Sequence, residues 1–176
     1  MTSMTIADLT AKIKSGEIDT VVVAMTDMQG RLTGKRIHGS FFLDEVLKHG
    51  TEGCNYLLAV DVDMNTVDGY EMSSWERGYS DFALVPDMDT LRMIDWQEGA
   101  ALVLADVQWL DHTDVVASPR QILRKQVKAL KDAGMEAMCG TELEFVVYKD
   151  TYEEAWNKGY KNLIPVNQYN VDYSIM

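Results

Sequence analysis

The tetrapeptide Ser118-Pro119-Arg120-Gln121 divides this chain more sharply than any other sequence feature. Ser118 can cap a helix, Pro119 suits its first position because the N–H there has no intrahelical acceptor, and Gln121 stands where the second arm of a capping box belongs. Behind it Ile122, Leu123, Val127 and Leu130 recur at helical spacing on one face, and Gly134 provides a stop. The residues before this break are strand-rich, and those after it open on a helix. The chain therefore reads as α+β, with a small first domain over residues 1–112 and the start of a second, α/β domain over residues 113–176.

Within the first domain, Thr5 and Asp8 bracket the start of a short helix carrying Ile6, Leu9 and Ile13, and Gly16 ends it. Residues 20–26 are β-branched and apolar, residues 28–31 form a turn, and residues 32–38 return as the second arm of a hairpin. Ser40 is expected to cap a helix that presents Phe41, Phe42, Val46 and Leu47 and stops at His49-Gly50. Short strands are expected over 56–60, 82–85, 90–93 and 101–107. A further strand should run from Met135 onward.

Charge narrows the range of partners. Sixteen Lys plus Arg face 28 Asp plus Glu, a formal net charge of −12, so a duplex or an anionic membrane surface, each needing a cationic face, is not expected as a partner. With 47% hydrophobic and 25% charged residues, the composition is that of a folded globular protein. The apolar runs at 21–25 and at 100–107, the latter interrupted by Asp106, fall far short of a membrane span. No basic segment followed by an apolar run opens the sequence, so a cytoplasmic location is expected. Cys54 and Cys139 fit two buried thiols in a reducing compartment, and a single bridge between them is also compatible with the count.

Gly140-Thr141-Glu142-Leu143-Glu144-Phe145 carries the most chemistry. On a strand, residues two apart share a face about 7 Å apart, so Glu142 and Glu144 point one way and Leu143 and Phe145 the other. Two ionised carboxylates at that spacing repel by about 2 kcal/mol at an effective dielectric of roughly 20, and a divalent cation removes the penalty. Without Cys or His nearby, oxygen ligands favour Mg²⁺ or Mn²⁺. A solvated strand face opposite an apolar one produces the same pattern. Lys35, Arg36 and His38 read as solvated strand ends, His49 and His112 as surface residues, and Asp61, Asp63, Asn65 and Asp68 as a polar loop. No Walker-type or G-x-G-x-x-G loop, HExxH or CxxC occurs.

Several segments occur in a telling order: Asp27-Met28-Gln29-Gly30-Arg31 with Gly34-Lys35-Arg36, residues 80–87, Thr90-Leu91-Arg92, Trp96, residues 101–107, Ser118-Pro119-Arg120 and residues 140–145. In that order and spacing, over about residues 18–148, the chain resembles the N-terminal part of glutamine synthetases. The resemblance implies a small β-grasp-like N-terminal domain followed by the truncated beginning of the catalytic α/β domain. It also implies an ATP-dependent ligase that joins ammonia or an amine to the γ-carboxylate of glutamate through γ-glutamyl phosphate, with Mg²⁺ or Mn²⁺. By position, Glu142 matches a ligand of the ion at the ATP phosphates and Glu144 a ligand of the ion on the glutamate side. No residue is assigned to ATP.

Asp68-Gly69 falls where the family places an Asp that binds and deprotonates ammonium. The following Tyr70-Glu71 replaces the family's Ser-Ser and leaves a larger amine open as substrate. The resemblance further implies a homo-oligomer, two stacked hexameric rings forming a dodecamer, in which the small domain of one subunit meets the catalytic domain of the next. Family members run to well over twice this length, with further metal carboxylates, a His and phosphate-binding Arg residues beyond Met176. The chain is accordingly expected to be an N-terminal fragment, inactive by itself. A non-catalytic relative serving assembly or regulation is the alternative, and the paired Glu142 and Glu144 favour the enzyme.

Overall fold

Val21, Val23 and Met25 are completely buried on one face of the strand Thr20–Thr26 (β1), as β-branched and apolar residues at alternate positions dictate. The computed structural model describes residues 4–76 and 78–169. In it β1 pairs antiparallel with Leu32–His38 (β2) and parallel with Ala100–Gln108 (β5). Strands Thr51–Cys54 (β3) and Asp81–Met93 (β4) complete a mixed five-stranded sheet of order β2-β1-β5-β4-β3. The helix Ile6–Ser15 carries the expected capping box, Thr5 with Asp8, and ends at Gly16 in the left-handed region.

The alternation of side chains gives the sheet two unlike faces. Odd-numbered residues of β1 and β5, from Val21 to Val107, join Leu9, Phe42, Val46, Phe82 and Leu84 in the main core. The even-numbered Ala24, Ala100 and Leu102 form a smaller cluster with Ile94 on the opposite face. Residues 82–85 and 90–93 are one strand, not two. A register shift between Asp87 and Arg92 inverts the parity of β4, so that Phe82 and Leu84 before it and Leu91 after it all reach the main core. Thr90 stitches the shift, its Oγ1 donating to Asp87 O at 2.7 Å and accepting from Leu104 N at 2.8 Å.

Other expectations are corrected. Residues 39–49 are helical with a widened π turn over Phe42–Val46, and the helix begins at Gly39 behind His38. Ser40 therefore lies inside the helix, its Oγ 2.9 Å from His38 Nδ1. A Cβ on Gly39 would stand 2.9 Å from Ile13, which explains why the chain enters this helix on a glycine. The strand expected over 56–60 is a 3-10 turn, Asn55–Leu58, and pairing falls instead on β3 just before it. Asn55 turns the chain because its buried amide is committed elsewhere, to Met72 O and Ser80 Oγ.

The helix Pro119–Asp132 starts where expected, but the Ser118 hydroxyl is buried, donates to nothing among the described residues and caps nothing, so the capping box with Gln121 does not form. Its apolar face is open, Leu123 being 64% exposed. Residues 1–136 and 137–176 form two compact units. In the second, the short helix Tyr152–Asn157 has a Thr151–Glu154 capping box, and Tyr148 bridges to Pro165. The strand expected from Met135 does not form: residues 135–147 have no ladder partner among the described residues, and an extended segment without one is not a strand. Both cysteines are free thiols. Cys54 is half-buried, but Cys139, in that unpaired segment, is exposed rather than buried. Among the described residues no helix is long and apolar enough to cross a membrane.

Candidate active site

The β1–β2 turn, Asp27 to Arg31, is built around one carboxylate. Asp27 is inaccessible to solvent, and its Oδ1 accepts from Gln29 N at 2.9 Å and Arg31 N at 2.8 Å, while Oδ2 accepts from Arg31 Nε at 2.7 Å. Burial pushes this carboxyl upward, but the bonds from the Arg31 side chain and from the two backbone N–H groups outweigh it and hold the group below its ordinary value. Gly30, in the left-handed region, closes the turn.

From this turn two side chains reach about thirty residues along the chain. Gln29 Nε2 donates to Val60 O at 3.0 Å, Arg31 Nη1 to Val62 O at 2.6 Å, and Arg31 Nη2 to Asp61 O at 3.3 Å. They grip the first limb of the loop that carries Asp68. Asp61 folds that limb back by accepting from the backbone N–H groups of Asp63 and Asn65, each at 2.9 Å, and Val67 N donates to Ala59 O at 3.0 Å. The hydrogen bonds from the Asn65 side chain and N–H hold the Asp61 carboxyl low. At the far limb, Asn55 holds Met72 and Ser80. Asp68 and Gly69 follow the gripped limb, Asp68 exposed and Gly69 at φ 94°.

Glu142 and Glu144 belong to the second unit and are exposed. Neither makes an ion pair or hydrogen bond to the described residues, and among those residues no three metal-binding side chains converge. As free, hard oxygen donors two residues apart, they fit a divalent cation that draws its remaining ligands from elsewhere. The basic residues Lys35, Arg36 and His38 are exposed along β2, at the sheet edge, as expected.

A second polar cluster escaped the sequence reading. On the sheet face opposite the main core, Asp106 Oδ1 accepts from Arg120 Nε at 2.8 Å and its Oδ2 meets Arg124 Nη1 at 2.7 Å. Asp87 Oδ2 meets Arg120 Nη2, and Arg124 Nη2 at 2.9 Å. Two acids and two bases alternate, tying the Pro119–Asp132 helix to β4 and β5. The one legible sign was Asp106, an acid interrupting an apolar strand.

Residues 116–173 match the glutamine synthetase catalytic domain. Over 171 residues, 97% of this chain and 37% of the relative, the sequence is 61% identical to a gamma-glutamylethanolamide synthetase of Streptomyces coelicolor. The chain belongs to the glutamine synthetase family. Within this family it is also 33% identical to a glutamate–isopropylamine ligase of a Pseudomonas species, over 93% of this chain and 36% of the relative. It thus spans little more than a third of these relatives' lengths. A crystal structure described as a novel glutamine synthase homolog has the same fold over 81% of this chain and 35% of that one, with a TM-score of 0.58 at 17% identity.

Proposed function

We propose that the protein carrying this chain is an ATP-dependent γ-glutamyl-amine ligase, joining a primary amine to the γ-carboxylate of glutamate through γ-glutamyl phosphate. The observation that carries this reading is the 61% identity to a gamma-glutamylethanolamide synthetase along nearly the whole chain. Together with the isopropylamine ligase, it favours an amine over ammonia as the nucleophile, in keeping with Tyr70-Glu71 after Asp68-Gly69.

Glu142 and Glu144 are assigned as metal ligands, with Mg²⁺ or Mn²⁺ the fitting ions. Such ions, when bound, neutralise phosphate charge and orient the acceptor carboxylate. Asp68 is assigned as the carboxylate that holds the protonated amine and takes its proton, leaving a lone pair free to attack the acyl carbon. In this reading residues 1–112 are a β-grasp-like domain, supported by the parallel β1–β5 pair within an otherwise antiparallel sheet. Residues 113–176 open the catalytic domain. The protein is cytoplasmic and assembles as a homo-oligomer of two stacked hexameric rings, where Asp68 of one subunit serves the catalytic domain of the next.

The test uses the complete polypeptide with ATP, Mg²⁺, glutamate and, in turn, ethanolamine, isopropylamine and ammonium. ADP release that needs both glutamate and an amine, with a γ-glutamyl amide detected by mass, is expected. ADP release indifferent to glutamate, or no amide with any of the three, overturns the assignment.

A further inference from the structure

Asp68 is assigned a task that demands placement, yet its own loop does not supply the anchor. Its carboxylate accepts no hydrogen bond among the described residues, and Gly69 beside it has open space around its Cα. What fixes the approach to Asp68 is the hairpin turn. Three carbonyl oxygens in succession, Val60, Asp61 and Val62, are taken up by Gln29 and Arg31.

Arg31 is aimed by the buried Asp27, and the turn joins β1, which is paired on both sides, to the edge strand β2. The grip therefore runs from the end of the β1–β2 hairpin to the loop. The guanidinium bonds Asp27 and the two loop carbonyls from three separate nitrogens, a spread of donors that the single nitrogen of an ammonium does not reproduce. We infer that Arg31, aimed by Asp27, is a positioning residue for the amine half of the reaction, acting through the 59–69 loop on Asp68. This rests on the ligase reading above and adds a residue pair to it.

Displacements of about 1 Å can cost roughly a hundredfold in rate, so a loosened loop should be visible in kinetics. The complete polypeptide is assayed with ethanolamine as Arg31→Lys, Gln29→Glu and Asp68→Asn beside the parent. Gln29→Glu removes the donor to Val60 O while leaving Asp27 paired, and so keeps the fold even where Arg31→Lys does not. The expected result is an ethanolamine KM raised about tenfold in Arg31→Lys and about threefold in Gln29→Glu, with ATP and glutamate KM values unchanged within about twofold. Amide exchange at Asn65 and Val67 should quicken about tenfold in Arg31→Lys while β1 and β5 amides stay as in the parent.

Equal rises in all three KM values, or faster exchange throughout the strands, would mean a merely structural role and overturn the inference. If Asp68→Asn is impaired but both clamp variants behave as the parent, the inference fails and the ligase reading stands. If Asp68→Asn is silent while Arg31→Lys still raises the amine KM, the assignment of Asp68 falls and with it the inference that Arg31 acts through Asp68, while the ligase reading stands. If no variant and no parent forms an amide, the ligase reading is lost, and the exchange at Asn65 and Val67 alone decides whether the clamp exists.

Discussion

Arg31 Nε lies 2.7 Å from Asp27 Oδ2 across a single turn, and the Asp27 side chain is wholly shielded while that of Arg31 is 36% exposed. One partner is committed to the fold and the other still has N–H groups to spend on the loop. Removing the buried member should therefore hurt more than its one ion pair suggests. Asp27→Ala strands Arg31 and two turn N–H groups, and a loss of about 2–4 kcal/mol is expected by urea denaturation. A loss within experimental scatter of zero would show that the turn is held by other means.

The same carboxylate makes stability depend on pH in a defined direction. Its folded value lies below the ordinary one, so the native state releases the proton more readily than the unfolded chain. The stabilisation is complete above an ordinary aspartate pKa of about 3.9 and is lost as pH falls below that, through the lowered folded value. The gap in unfolding free energy between the parent and Asp27→Asn should be constant near neutrality and shrink below about pH 4. A gap that widens on acidification would contradict the assigned direction.

Gly34 stands opposite Ala24 in the β1–β2 pair, and a Cβ there would lie 2.0 Å from Val23 O. Since β1 is hydrogen-bonded on both sides, it cannot move away. Gly34→Ala should cost more than about 3 kcal/mol or leave no folded protein. A melting temperature equal to the parent's would refute the packing described.

Arg120 and Asp106 are each less than one-fifth exposed, whereas Arg124 is half exposed. Truncating Arg120 to Ala should therefore destabilise residues 1–136 by roughly 2–3 kcal/mol, and Arg124→Ala by roughly 1 kcal/mol or less. A double-mutant cycle of Arg120→Ala with Asp106→Ala measures the coupling directly. Strict additivity would mean that the network contributes nothing as a pair.

For the 176 residues alone, no glutamate-dependent ADP release is expected, because two carboxylates rarely hold Mg²⁺ tightly without further oxygen ligands. Turnover comparable with that of the complete polypeptide would mean that Glu142 and Glu144 are not where the chemistry is organised.

Local signals were legible where the residues that make them also satisfy them. Thr5 with Asp8, the β-branched run at 20–26 and Pro119 at a helix start all act within a few residues of themselves. Ser118 failed as a cap because its hydroxyl is buried, and Asn55 ended an expected strand because its amide bonds residues 72 and 80. The candidate site divides in the same way. Asp68, Glu142 and Glu144 could be proposed from motif and resemblance, but the grip of Arg31 on 61 and 62 joins segments that no short pattern relates.

The parallel pairing of β1 with β5 sets Thr20 beside Ala100, about eighty residues later in synthesis. The β1–β2 hairpin can close at once through its own short turn, but its inner edge stays unpaired until the last strand has left the ribosome. Val21, Val23 and Met25 are then an exposed apolar ribbon on a nascent chain. The sheet thus cannot be completed before β5 has been made, and between residue 26 and residue 100 the growing chain holds an apolar strand without its native partner.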